Sequence, residues 1–326
     1  MTIDLAALGS LSSILAPVFL VILLGYGIGR SGLLGADQLR GFGRFILAVA
    51  LPMLIFGAVS SARIGEVFRL DYLLVYAAAS LSTFALSFAW FRWGTAAGGS
   101  VARLDKAAVR AMGTAISNTA LIGFAILSQI FGHAAAGPVV LNMLVETFMM
   151  LPILMALIEL GQGDHAHLGA ALGGVARNLV RSSMIWSIVL GAIFAALGLA
   201  LPQPVTRSVQ MVGSIAAPLA LITIGATLAG VRLAGQGGAI VVMAAGKLLL
   251  HPAMVLLFLT LMPVRDPMFH SAIILLAAMP TFSTLTVFAQ SAGDSETCSA
   301  AMLVATAASF VTLLVAMAML GVHLPA

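Results

Sequence analysis

The stretch Ala277-Ala-Met-Pro280-Thr-Phe-Ser-Thr284-Leu-Thr-Val-Phe-Ala-Gln290 decides how the chain is read. It follows Ile273-Ile-Leu-Leu276 and precedes a polar gap at 291–296. With its flank it is long enough to be a helix buried in lipid. Yet it holds Pro280 and four hydroxyl side chains, Thr281, Ser283, Thr284 and Thr286. Proline removes a backbone donor and frees a carbonyl. In lipid such groups are tolerated only where they line a cavity or meet a partner. Two broken helices meeting at mid-depth satisfy that condition. Their half-helix N-termini would offer bare N–H groups and the positive end of a dipole to an anion.

Outward from this stretch the whole chain is apolar. Charged residues make up 8% of the 326 and hydrophobic ones 61%, against about 25% charged in soluble domains. Mean hydropathy is +1.14. Apolar runs suited to bilayer-spanning helices recur at roughly 11–29, 39–59, 71–92, 109–131, 138–160, 180–200, 208–230, 238–262, 268–290 and 297–321. The gaps are short, and the longest, Gly161 to Leu179, reads as a loop carrying His165 and His167. Residues 1–10 hold no Lys or Arg, so the basic region of a cleavable signal peptide is not expected. The single Cys298 forms no intrachain disulfide or Cys-based metal site and reads as a small buried thiol.

The net charge of +4 is spread over short loops and is no sign of nucleic-acid binding. Its sidedness is informative. With the N-terminus outside, ten cations fall on inner loops, Arg30, Arg40, Arg103 and Arg110 among them, and four on outer loops, Arg63, Arg69, Arg207 and Arg265; Lys247 falls within a span. Both termini are therefore expected outside, on the periplasmic face of a cell inner membrane.

The ten runs divide into five and five. Leu51-Pro52 recurs as Ala217-Pro218, 166 positions later, and Gln129-Ile-Phe-Gly132 as Gln290-Ser-Ala-Gly293, 161 positions later. With an odd number of crossings per half, the second copy must sit upside down, and inverted repeats with interrupted helices are a signature of secondary transporters. The expected class is an all-α membrane protein of ten transmembrane helices. Residues 1–160 form one five-helix repeat, 161–179 a cytoplasmic loop and 180–326 the inverted repeat. The fourth run, with Thr114, Ser117, Asn118 and Thr119 ahead of Gly123, matches the polar, broken ninth.

These residues carry a resemblance. Ala278-Met-Pro280 through Val287-Phe-Ala289, Gly293-Asp294 and Ser309-Phe-Val-Thr-Leu313, with Leu51-Pro-Met-Leu-Ile-Phe56, Asn118-Thr-Ala-Leu-Ile-Gly123 and Lys247-Leu-Leu-Leu-His-Pro252, resemble the auxin efflux carrier family. That family includes plant PIN-FORMED carriers and bacterial malonate- and malate-type carriers, and the resemblance covers nearly the whole chain. It implies a fold like that of bile-acid:sodium symporters. Spans 1, 2, 6 and 7 would be a scaffold, and the rest a transport domain in which spans 4 and 9 cross. It implies organic anions bound beside the crossing, an elevator-like shift, and a homodimer as a possible assembly. Phe124-Ala125 stands where the family often has a proline, which predicts a less sharp break in the fourth span. The acid and base that plant carriers place on the third have no counterpart here, with Tyr76 and Ser80 the nearest matches, and this departure argues against plant-like auxin handling.

Within this frame the candidate substrate-binding residues are Ser117, Asn118, Thr119, Asn142, Glu146, Pro280, Thr281, Ser283 and Thr284. Asn118 can donate and accept at once and either orients a carboxylate or ties helix to helix. Glu146 lies mid-span, one turn beyond Asn142. A buried acid there suits a proton-coupled step or a non-anionic substrate, or else pairs with Lys247. Lys247 and His251 share a face. The lysine attracts the anion, neutralises Glu146 or ties its helix to a carbonyl, and His251 either titrates or packs. Pro52 and Pro218 would bend helices along the substrate path. Asp294 and Glu296 read as a solvated inner loop.

No Gly-x-x-x-x-Gly-Lys-Ser/Thr supports a nucleotide-driven pump, no Gly-x-Ser-x-Gly supports a hydrolase, and the six His are too scattered for a metal site. No cofactor or metal is expected. The leading expectation is a carrier of a small carboxylate, with a proton favoured over sodium as coupling ion; a channel, an intramembrane enzyme or a carrier of a non-anionic substrate are the alternatives. The topology has a direct check. In a Cys298→Ser background, a single cysteine placed beside Arg103 should resist an impermeant thiol reagent in intact cells, and ready labelling there would invert the orientation.

Overall fold

The computed structural model describes residues 5–61, 69–94, 103–162, 181–231 and 236–321. The expected loop beyond Gln162, with His165, His167 and Arg177, lies outside the described residues, as do Arg63 and Arg232. Every described element is helical. In chain order they are α1 (Leu5–Ser31), α2 (Ala36–Ser61), α3 (Leu70–Gly94), α4 (Leu104–Ala115), α5 (Thr119–Phe131) and α6 (Ala136–Gln162). There follow α7 (Ser183–Ala196), α8 (Gln203–Ala229), α9 (Gly237–Leu261), α10 (Pro267–Ala277), α11 (Leu285–Ser291) and α12 (Ser295–Leu320).

Seven of these are long and apolar enough to cross a membrane: α2, α3, α6, α8, α9, α12 and, over Ser13–Ser31, α1. The protein is therefore a multi-pass membrane protein. The fourth and ninth runs do not form single helices. Each is split, α4 from α5 and α10 from α11, and the fourth breaks fully even without a proline beside Phe124. The sixth run yields only the 14 residues of α7, about 21 Å of helix, short of a 30 Å hydrocarbon core.

Three of the long helices carry a wide π turn directly before a proline. The N–H of Leu51 bonds the Ile46 carbonyl, that of Leu151 the Glu146 carbonyl, and that of His251 the Gly246 carbonyl, each five residues back. Pro52, Pro152 and Pro252 follow. A proline ring collides with the carbonyl four residues before it and offers it no N–H. Widening the preceding turn relieves the collision while keeping the helix continuous. Two of these turns hold Glu146 and Lys247.

The helices pack in two groups. α1 lies along α8, and α2 along α7 and the first half of α8. α3 packs on α4 and α9, α4 also on α6, and α9 and α11 on α12. The α1–α8 seam is backbone on backbone. A Cβ on Gly225 would lie 1.9 Å from the Ile22 carbonyl oxygen, and one on Gly25 or Gly29 would lie 2.3 or 2.6 Å from the carbonyls of Ile222 and Ala226. Gly25 and Gly29 are four apart, the spacing that lets membrane helices touch most closely. Gly225→Ala is accordingly expected to force α1 and α8 apart and to cost about 1–3 kcal/mol or more of stability in a detergent melting assay. Gly27→Ala, whose Cβ meets nothing within 4 Å, is the matched control and should melt like the parent.

Candidate functional site

The two breaks meet. The link 116–118 between α4 and α5 pairs antiparallel with the link 278–284 between α10 and α11 at Ser117 and Thr281. The Asn118 N–H donates to the Pro280 carbonyl at 2.8 Å. The Asn118 side-chain amide donates to Ser283 Oγ at 2.8 Å. Breaking a helix strands the carbonyls of its last turn, and each break has its own remedy. The Gly113 carbonyl, which in an unbroken α4 would accept from Ser117, accepts instead from Thr281 Oγ1 at 2.8 Å. The Ala277 carbonyl, which would accept from Thr281, accepts from Lys247 Nζ at 2.6 Å. The opening stretch is thus polar because it must end two helices inside an apolar protein. Thr281 is buried, Ser283 half-buried and Thr284 exposed, so the pairing reaches accessible space along one side.

Glu146 stands behind this pairing. Its Oε1 accepts from Thr119 Oγ1 and from Tyr76 OH, both at 2.7 Å. One turn earlier, Asn142 Oδ1 accepts from Tyr72 OH at 2.7 Å. The two bonds are a matched pair, four residues apart on α3 and on α6. Among the described residues, three buried polar atoms have no hydrogen-bond partner, and two of them, Ser117 Oγ and Asn142 Nδ2, lie in this site. Buried groups of this kind ordinarily have one, so both are open to a ligand or a water.

Lys247 does not pair with Glu146. Among the described residues the ion pairs are Arg40–Asp37, Arg69–Asp266, Arg103–Asp105 and Arg110–Asp294. Of the three roles considered for Lys247, the bond to a carbonyl is the one its contacts support. An ammonium at the open C-terminal end of α10 also complements the dipole there. Lys247 Nζ further meets His251 Nδ1 at 2.9 Å, and His251 Nε2 lies 3.2 Å from Ser80 Oγ. His251 is therefore a buried, fully partnered histidine.

The structure brings Ser117, Asn118, Thr119, Glu146, Pro280, Thr281 and Ser283 together, with Asn142 one turn away. No side-chain hydrogen bond ties Thr284 to the others. It also joins Tyr76 and Ser80 to residues that the sequence reading had not singled out. Tyr72, Tyr76, Ser80, Thr83 and Ser87 are all buried on one side of α3. Their spacing of four, four, three and four was a readable polar stripe, visible only if the span is scanned for polar rather than apolar periodicity.

Asp294 corrects an expectation. It is 7% exposed rather than solvated, and receives Arg110 through Nε at 2.6 Å and through a second nitrogen at 2.9 Å. Arg110, expected on an inner loop, lies within α4 and also bonds Gln236 at 2.9 Å. Cys298 is buried, as expected, with its Sγ 3.8 Å from Asp294 Oδ2. Glu296 is exposed. Pro52 is buried and Pro218 exposed.

Residues 11–317 match the model of a family described as membrane transport proteins. The chain belongs to that family. The auxin efflux carrier resemblance thus holds over nearly the full length, and the protein is a transporter rather than an enzyme. A Rhizobium meliloti protein named "Putative malonate transporter" is 28% identical over 309 residues, 94% of each chain. An Escherichia coli protein named "Uncharacterized transporter YfdV" is 24% identical over 221 residues, 66% of this chain and 68% of its own. An uncharacterized transporter of Methanothermobacter thermautotrophicus is 26% identical over 226 residues, 68% of each.

The Arg110–Asp294 pair supplies a test of how this family member is held together. Removing one partner of a buried ion pair strands a charge and costs about 3–5 kcal/mol, whereas replacing both with apolar residues is near neutral. Arg110→Met and Asp294→Leu are each expected to lower the melting temperature sharply, and the double variant to recover most of the loss.

Proposed function

We propose that the protein is a secondary carrier for a small carboxylate, bound where the two broken segments pair. The observation that carries this reading is the Asn118–Pro280 and Asn118–Ser283 pairing. It sets hydroxyl and amide groups and the open N-terminus of α5 at one place in an otherwise apolar protein. Open helix N-termini favour anions, and Ser117 Oγ and Asn142 Nδ2 leave polar capacity for a ligand. The name of the Rhizobium meliloti relative makes malonate the first substrate to try.

The finer architecture belongs to the same proposal. Counting each split pair and α7 as one crossing gives ten, in two inverted repeats. In support, Ser117 and Thr281 are 164 positions apart, between the offsets of 161 and 166 at which the two sequence matches recur. Symmetry-related residues would then face each other. The grouping of α1, α2, α7 and α8 suits a scaffold past which the remaining helices shift as an elevator, in an inner membrane with both termini outside.

Glu146 gives the cycle a proton. An ionised acid beside an anion site repels the substrate, and among the described residues no cation pairs with it directly, so a proton entering with the anion removes the conflict. Both parts are open to one assay in proteoliposomes. Labelled malonate uptake should saturate and show counterflow, which a channel would not. Asn118→Ala should weaken binding by about 1.5–3 kcal/mol, the scale of a hydrogen bond to a charged group. Glu146→Gln should fold normally and lose the response of uptake to a pH gradient. Parent-like affinity in the first variant would move the site elsewhere, and an unchanged pH response in the second would end the proton role.

A further inference from the structure

A second place on the molecule is built for a ligand, far in the sequence from the pairing just described. A cleft of about 520 Å³ opens between the end of α1, the start of α2 and the end of α8. Gly29, Arg30, Leu34, Leu39, Arg40 and Ala226 are among its lining. We propose that this cleft holds the headgroup of an anionic phospholipid.

Position is the first argument. Ser31 ends one long apolar helix and Ala36 begins the next, so the turn between them lies where the bilayer meets water. Charge is the second. Arg30 makes no ion pair or hydrogen bond among the described residues. Arg40 pairs only with Asp37, and the two side chains are 66% and 91% exposed, a pairing too solvated to hold a guanidinium against a phosphate. Arg44 follows one turn later on α2. The C-terminal ends of α1 and α8 each contribute about half a negative charge and the start of α2 about half a positive one. The two guanidiniums that line the cleft, against the one carboxylate of Asp37, outweigh that difference, and the cleft stays positive.

Size and lining decide the kind of anion. A water occupies about 30 Å³ of liquid, so the cleft has room for many, more than a lone oxyanion needs. Leu34, Leu39 and Ala226 give it an apolar wall, which suits a glycerol backbone better than a free ion. Leu23, Leu24 and Leu33 are exposed nearby on α1 and the turn, at 63%, 57% and 71%, and offer apolar surface to acyl chains. Basic pockets between membrane helices at this depth are where acidic headgroups bind.

Native mass spectrometry of the delipidated protein, titrated with phosphatidylglycerol or phosphatidylcholine, tests this. The parent should retain phosphatidylglycerol preferentially. Arg30→Gln with Arg40→Gln should weaken that retention about 30-fold, from two lost cation contacts, while the lipid-free melting temperature stays unchanged. Arg30→Lys with Arg40→Lys should keep most of the binding, which guards against a folding artefact. Four results would overturn the proposal: equal retention of the two lipids, equal retention by parent and Gln variant, displacement of the lipid by millimolar inorganic phosphate, or a protein dimer that occupies the cleft in place of lipid.

Discussion

The structure depends on the hydrogen bond from the Asn118 N–H to the Pro280 carbonyl. A helix that stops inside an apolar protein leaves carbonyls and N–H groups that water cannot reach, each costing several kcal/mol. Two helices that stop at the same place can use each other's loose ends. Thr281 then closes the Gly113 carbonyl and Lys247 the Ala277 carbonyl, so residues from α9 and from both links become fixed relative to one another. The polar groups that remain open, around Ser117 and Asn142, are a by-product of this repair, and they are also what a transported solute needs.

Charge in this protein is handled by position. Lys247 spends its ammonium on a carbonyl at a helix end, and its neighbour His251 accepts a share. Arg110 and Asp294 neutralise each other by a bidentate contact. Arg69 and Asp266 do so at the N-terminus of α10, where the Asp266 carboxylate also caps the helix through Met268 and Phe269 N–H. Among the described residues, no ion pair reaches the buried carboxylate of Glu146. Its Oε1 accepts from the hydroxyls of Thr119 and Tyr76.

Much of this was legible in the sequence because apolar length and proline are local signals. Long helices such as α2, α3, α6 and α9 begin and end within a few residues of the apolar runs, and Pro280 announced the break in the ninth. Asn118, Glu146 and the opening stretch stood out because polar residues in an apolar run must have a reason. What the sequence hid was three-dimensional. Nothing local distinguishes an arginine such as Arg110, which turns inward to Asp294 across 184 positions, from one on a wet loop. The break at Ile116–Asn118 carries no proline, and what answers it is the facing link 278–284, 164 positions away at the Ser117–Thr281 pairing. Tyr72 was not singled out, and Tyr76 only by its place in the family pattern, because tyrosine is common in membrane helices and only the facing Asn142 and Glu146 give the stripe its meaning.

The π turns before Pro52, Pro152 and Pro252 have a geometrical consequence. Each holds one residue more than a regular turn would. Since a residue advances a helix by about 100°, everything beyond the turn is rotated by that amount against a uniform helical wheel. A face that looks inward before Glu146 is therefore not continued by the same spacing after Met150. α2, α6 and α9 are each two helical stretches out of phase, joined through the wide turn. The slip lets one helix present one side to its neighbours before the turn and a different side after it.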